Sequence, residues 1–114
     1  MRARGTAGED LAVRHLEQRG LRVRDRNWRC SIGEIDIVAQ SGPTLVIVEV
    51  KSAGRESEFK PEDRVNHSKR TKLRRLAAVY LKARRLDLPV RYDVIAVVWD
   101  NGEPRITHYE DAFA

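Results

Sequence analysis

Near the end of an apolar run, "LVIVEVK", a glutamate and a lysine stand two residues apart, Glu49 and Lys51. One short connection earlier, "GEIDIVA" carries Glu34 and Asp36. Ionised groups in such company cost free energy unless they are paired or hold a metal. Side chains on a strand alternate faces, so Leu45, Ile47, Glu49 and Lys51 are expected on one face and Val46, Val48 and Val50 on the other. By the same alternation Glu34 and Asp36 share a face, with Ile35 and Ile37 opposite. If the two strands pair through "QSGP", an acid of each lies beside an acid of the other. Neighbouring carboxylates raise each other's pKa unless a cation joins them. Mg²⁺ suits such a place, because it takes hard oxygen ligands and commonly uses one or two carboxylates plus phosphate oxygens; Mn²⁺ is the other candidate. An ion between Asp36 and Glu49 would polarise a phosphodiester and acidify a bound water. Lys51 would then orient that water or offset charge building on the phosphoryl oxygens. On spacing alone, a Glu49–Lys51 or Asp36–Lys51 salt bridge at a sheet edge accounts for the same residues equally well.

The elements that must position these groups follow from the patterning. Thr6 to about Arg19 reads as a helix with Ala12, Val13 and Leu16 on one face, stopped by Gly20. "LRVRDRNW" (21–28) alternates as a half-exposed strand, "GEIDIVAQ" (33–40) is a second, and "TLVIVEVK" (44–51) is apolar on both faces, as a covered central strand would be. "SAGRESEFKP" has no periodicity and reads as a mobile loop. A long basic helix is expected from about Pro61 to Arg85, with Val65, Leu73, Leu76 and Tyr80 at helical spacing. "RYDVIAVVWD" is a strand, "NG" at 101 and 102 marks a hairpin turn, and "PRITHYE" is a last short strand. The order α-β-β-β-α-β-β predicts one α/β domain over 1–114. Its mixed central sheet is flanked by helices, the long one crossing over to a parallel strand.

Other charges have competing explanations. Glu9 completes a capping box, "TAGE", with Thr6, yet it also stands on the face of Ala12, Val13 and Leu16. Glu34 lies roughly 6.5–7 Å from Asp36 by strand rise and ranks below it. Lys69 is four residues before Leu73 and continues the apolar stripe, where it either snorkels or reaches a phosphate. Arg70, Lys72, Arg74 and Arg75, with Lys82, Arg84 and Arg85 further on, make the helix basic, either as solvated surface or as a phosphate-contacting face. The chain carries 22 Lys+Arg against 17 Asp+Glu, a net charge of +5 that suits a polyanion. No aromatic interleaving suggests base reading, so backbone recognition is expected. The single cysteine, Cys30, excludes an internal disulfide and a cysteine-built metal site. His15, His67 and His108 lack zinc-like spacing. No run is long enough to cross a membrane and the start lacks a signal peptide, so a cytoplasmic protein is expected.

"NWRCSIGEIDIVAQ…LVIVEVK", with "GEDLAVRHLEQRG", "VNHSKRTKLRRLAAVYL", "RYDVIAV" and "DAF", closely resembles the YraN family of small bacterial proteins, assigned to the restriction-endonuclease-like PD-(D/E)xK superfamily. The resemblance implies that fold and a Mg²⁺-dependent nuclease acting on DNA, with structure-specific rather than sequence-specific recognition. Carried over, the superfamily's metal-binding aspartate falls on Asp36, its second acid on Glu49 and its lysine on Lys51; Ile35 stands where the superfamily name has proline. A helical glutamate found in some divergent members matches Glu9, which the resemblance makes a third acid at the metal and catalytic site beside Asp36 and Glu49. The family match at "SKRTKL" assigns Lys69 to phosphate contact, beside Arg70, Lys72, Arg74 and Arg75. A homodimer is expected if both strands of a junction are cut. A nucleic-acid-binding module that keeps the fold without the chemistry is the rival reading.

Overall fold

The computed structural model describes residues 4–54 and 66–114. Helix α1 (Arg4–Gln18) is followed by strands β1 (Arg22–Cys30), β2 (Gly33–Ser41) and β3 (Thr44–Ala53), then helix α2 (His67–Arg84) and strands β4 (Val90–Asp100) and β5 (Glu103–Phe113). The five strands form one sheet in sequence order. β3 and β4 run parallel on either side of α2 in the chain, and every other neighbouring pair is antiparallel. The expected mixed α/β sheet with flanking helices is the observed fold.

The helices cover opposite faces. Ala12 and Leu16 of α1 pack on Ile37, Ala39, Val46, Val48, Ile95 and Val97. Leu73, Leu76, Ala77 and Tyr80 of α2 pack on Ile35, Val38, Leu45, Ile47 and Val94. β3 therefore buries both faces, which explains its unbroken apolar run, and each such Val, Leu or Ile contributes about 1.5–3 kcal/mol. Tyr80 ties α2 to β1: its hydroxyl donates to Asp25 at 2.6 Å and its ring meets Trp28 edge-on at 5.2 Å.

Three expectations are corrected. First, α1 begins at Arg4, so Thr6 lies inside the helix and is not its N-cap. The residue that matters there is Gly8, where an added Cβ would stand 3.0 Å from Ser52 Oγ, so the helix approaches the end of β3 closely. Second, α2 begins at His67 rather than near Pro61. Asn66 is extended (φ −74°, ψ 173°), and its side chain accepts from the Lys69 N–H at 2.9 Å, a cap that starts the helix there. Residues 55–65, which take in most of the expected loop and the expected first turn of the helix with Val65, lie outside the described residues.

Third, strict alternation fails in β2. Ile35 packs under α2 while Ile37, two residues on, packs under α1. The cause sits across the ladder. Arg26 pairs with Ile37 and Trp28 with Ile35, leaving Asn27 opposite Asp36, and Asn27 has φ 51°. Asparagine tolerates this left-handed conformation. Among the described residues no helix is long and apolar enough to cross a membrane.

Because Asn66 both starts α2 and fixes the backbone of Lys69, Asn66→Ala is expected to cost about 1 kcal/mol. Urea denaturation would register it as a lower midpoint at unchanged slope. An unchanged midpoint would mean that α2 does not depend on this cap.

Candidate active site

The candidate site lies where β2 parts from β3. Their ladder runs from Ser41↔Thr44 to Ile37↔Val48 and stops, while β3 stays paired with β4 as far as Ala53↔Val98. From Glu49 onward β3 thus has one backbone neighbour and one open side. The Val50 N–H, which continued pairing would have given to a β2 carbonyl, donates instead to Asp36 Oδ2 at 2.8 Å.

Glu49 and Lys51 follow Leu45 and Ile47 on the α2 side of β3, as alternation requires. α2 answers them with Lys69, whose ammonium forms an ion pair with Glu49 Oε1. Glu49 is buried. Asp36 stands beside this pair, and burial together with the neighbouring Glu49 charge raises its pKa to about 7. Lys51 is pushed the other way from its usual basicity: burial lowers its pKa, and the adjacent Lys69 ammonium lowers it further. Burial works against the charge of Lys69 as well, but its hydrogen bond and ion pair with Glu49 outweigh this and raise its pKa. Lys51 and Lys69 are also hydrogen-bonded to each other.

The remaining candidates fall at different distances from this centre. Glu9, on α1, acts on Asp36 through its charge and lies 4.0 Å from Arg26 Nη2. Among the described residues no third His, Cys, Asp or Glu joins Asp36 and Glu49 in a metal-binding group. Glu34 is turned to Arg29 at 2.8 Å. On α2, Arg70 lies over the Phe113 ring at 5.4 Å, and Arg74 donates to the Ala114 carbonyl at 2.7 Å. Lys72 and Arg75 face a cleft on the other flank of the helix.

The donor set fits a divalent cation. Burial first, and the neighbouring Glu49 charge second, disfavour the ionised form of Asp36, and a hard cation between the two carboxylates would offset both. Two carboxylates are also what Mg²⁺ usually takes from a protein, the rest of its shell being water and phosphate.

Comparison with known proteins adds the lineage. The model of a family described as "Uncharacterised protein family UPF0102" matches residues 8–97. The chain belongs to the UPF0102 family. A UPF0102 protein of Bacteroides thetaiotaomicron is 44% identical over 109 residues, covering 96% of this chain and 90% of the relative. One from an Arthrobacter species is 46% identical over 106 residues, covering 91% and 90%. Another, from Thermodesulfovibrio yellowstonii, is 40% identical over 109 residues, covering 96% and 94%. This is the family that the YraN resemblance indicated. Glu9, Asp36, Glu49, Lys51 and Lys69 all fall within the UPF0102 match, and His108 lies beyond it.

His108 belongs to a cluster that the sequence did not disclose. His15 Nε2 stands 3.1 Å from His108 Nδ1, and His108 Nε2 stands 2.7 Å from Asp93 Oδ2. Arg91 donates to both oxygens of Asp93, at 2.9 and 3.0 Å. The two histidines come from α1 and β5, so no local spacing could have signalled them. The chain of bonds joins α1, β4 and β5 on the α1 side of the sheet.

The Asp36 shift has a consequence for stability. In the unfolded chain this carboxyl ionises near 3.8, and in the folded chain near 7. Between those values the folded state holds a proton that the unfolded chain has released. Stability therefore falls as pH rises through the window, by up to about 4 kcal/mol once pH exceeds 7. Asn at this position keeps an acceptor for the Val50 N–H without the charge. In chelator, Asp36→Asn protein is expected to melt above the parent at pH 8, with the gap narrowing towards pH 5. Equal melting temperatures at pH 8 would show that ionising Asp36 costs the fold nothing.

Proposed function

We propose that this protein is a metal-dependent nuclease that hydrolyses DNA phosphodiesters, with branched or damaged DNA as its substrates. The observation that carries the reading is the gap at the end of β3, where Asp36 and Glu49 meet each other and two lysines. Asp36 and Glu49 would hold Mg²⁺, or Mn²⁺ in its place, with Glu9 adding negative charge from α1. When bound, the ion supplies Lewis-acid polarisation of the phosphoryl group and an acidified water. The chain's own residues supply the rest. Lys51, with its basicity lowered, is suited to orient the attacking water or take a proton from it. Lys69, kept charged, is suited to a phosphate oxygen. The basic surface of α2 beside the gap suits a polyanion and supplies sequence-independent attraction. Among the described residues each copy has one such acid pair, so opposed cuts in a junction call for two copies.

A second reading is favoured by one contact. Lys69 satisfies the Glu49 carboxylate without a metal, as it would in a nucleic-acid-binding module that keeps the fold and does no chemistry.

Cleavage of labelled single-stranded, duplex, flap and four-way-junction DNA with Mg²⁺, Mn²⁺ or chelator separates the two. Metal-dependent cutting is expected, reduced about 10²–10³-fold or more in Asp36→Asn and in Lys51→Ala, while DNA binding persists. Junction binding without cutting by any metal would give the binding module the lead. Cutting that survives both substitutions would remove these residues from the chemistry.

A further inference from the structure

The acids are not the only opening beside α2. A cleft of about 490 Å³ lies between the helix and the β1–β2 turn, lined by Ile32, His67, Ser68, Thr71, Lys72 and Arg75. Positions 68, 71, 72 and 75 fall at i, i+3, i+4 and i+7, which is one face of the helix. Lys72 lies low across the turn because residue 33 is glycine. An added Cβ there would stand 2.7 Å from Lys72 Cε, and φ of +153° is itself a conformation that side chains avoid. The other basic pair of this helix half is engaged elsewhere, Arg70 on Phe113 and Arg74 on the terminal carbonyl. Lys72 and Arg75 are thus the cations directed at the open volume. Ile32, half-buried, gives the cleft an apolar surface.

We infer that this cleft binds one nucleotide of an unpaired strand, its phosphate on Lys72 and Arg75 and its base or sugar against Ile32. The inference rests on the nucleic-acid reading above and narrows its substrate. A duplex presents phosphates to Lys72 and Arg75 but keeps its bases stacked and paired, so the apolar surface at Ile32 would go unused. An unpaired nucleotide can use both, since base contact with a non-polar or aromatic platform needs an unstacked base. The path is continuous with the acids: Lys69, which reaches Glu49, precedes Lys72 by three residues, about 4.5 Å along the helix axis. A strand entering the gap at Asp36 and Glu49 therefore passes the cleft within its next nucleotide or two.

The test is fluorescence anisotropy in chelator, where no cutting can interfere, using a short labelled oligothymidylate and a duplex of equal length. The protein is expected to prefer the single strand. Lys72→Gln with Arg75→Gln should weaken that binding at least about tenfold and reduce the salt slope by about 1. Lys72→Arg should retain it, which separates loss of charge from loss of fold. Ile32→Ser should lower single-strand affinity and leave the duplex unchanged, and Lys82→Gln, at the far end of α2, should matter much less. Equal losses from the cleft pair and from Lys82→Gln would overturn the inference, as would a duplex bound as tightly as the single strand. Failure of the nuclease reading looks different: single-strand binding through the cleft with no cutting under any metal.

Discussion

The parting of β2 from β3 at Asp36 is the constraint on which the rest of the site depends. Had the ladder continued, Asp36 and Glu49 would face each other as a cross-strand pair, since they follow next in register after Ile37↔Val48. Two carboxylates directly opposite in a closed sheet are destabilising and leave no room for a third party. By separating, the strands convert a clash into a recess, and one Asp36 oxygen takes over the Val50 N–H that the parting orphans. A buried donor left unmet would cost about 1–3 kcal/mol. The acid that gives the site its charge is thus also what makes the gap tolerable to the backbone.

The charges gathered there are pushed apart in their behaviour. Asp36 is held towards its neutral form, Lys51 likewise, and Lys69 is confirmed in its charge by Glu49. Similar groups with divergent protonation in one small volume are the usual preparation for acid–base work. Position is shared between elements. The Asn66 cap sets the first turn of α2, and with it the place of Lys69 over the end of β3.

Much of this could be read from the residues because β3 is regular: alternation put Glu49 and Lys51 on one face, and the helical stripe through Leu73 and Leu76 put Lys69 opposite them. Alternation could not survive Asn27, whose left-handed backbone reverses the facing of β2 between Ile35 and Ile37. Nothing in "RDRNW" marks that asparagine over any other polar residue of a half-exposed strand. The start of α2 escapes the pattern for a related reason, because a cap is a side-chain geometry and the charged residues "EDR" after Pro61 read equally well as a first helical turn. The His15–His108–Asp93 chain was beyond reach altogether, since it depends on how α1 lies across β4 and β5.

The sheet ends in two edge strands, each with one open side, and their composition bears on how copies of this protein can meet. β1 carries Arg22, Arg24, Arg26 and Arg29 along one edge, and it is bulged between Val23 and Asp25. β5, at the other edge, holds Pro104 near its start and a left-handed Asp111 near its end, with charges between. Irregular, charged edges with proline resist recruitment of another chain into the hydrogen-bond ladder. The protein can therefore keep an open five-stranded sheet in a crowded cell without templating aggregation. Lengthening the sheet at β1 or β5 is therefore a disfavoured way for two copies to meet.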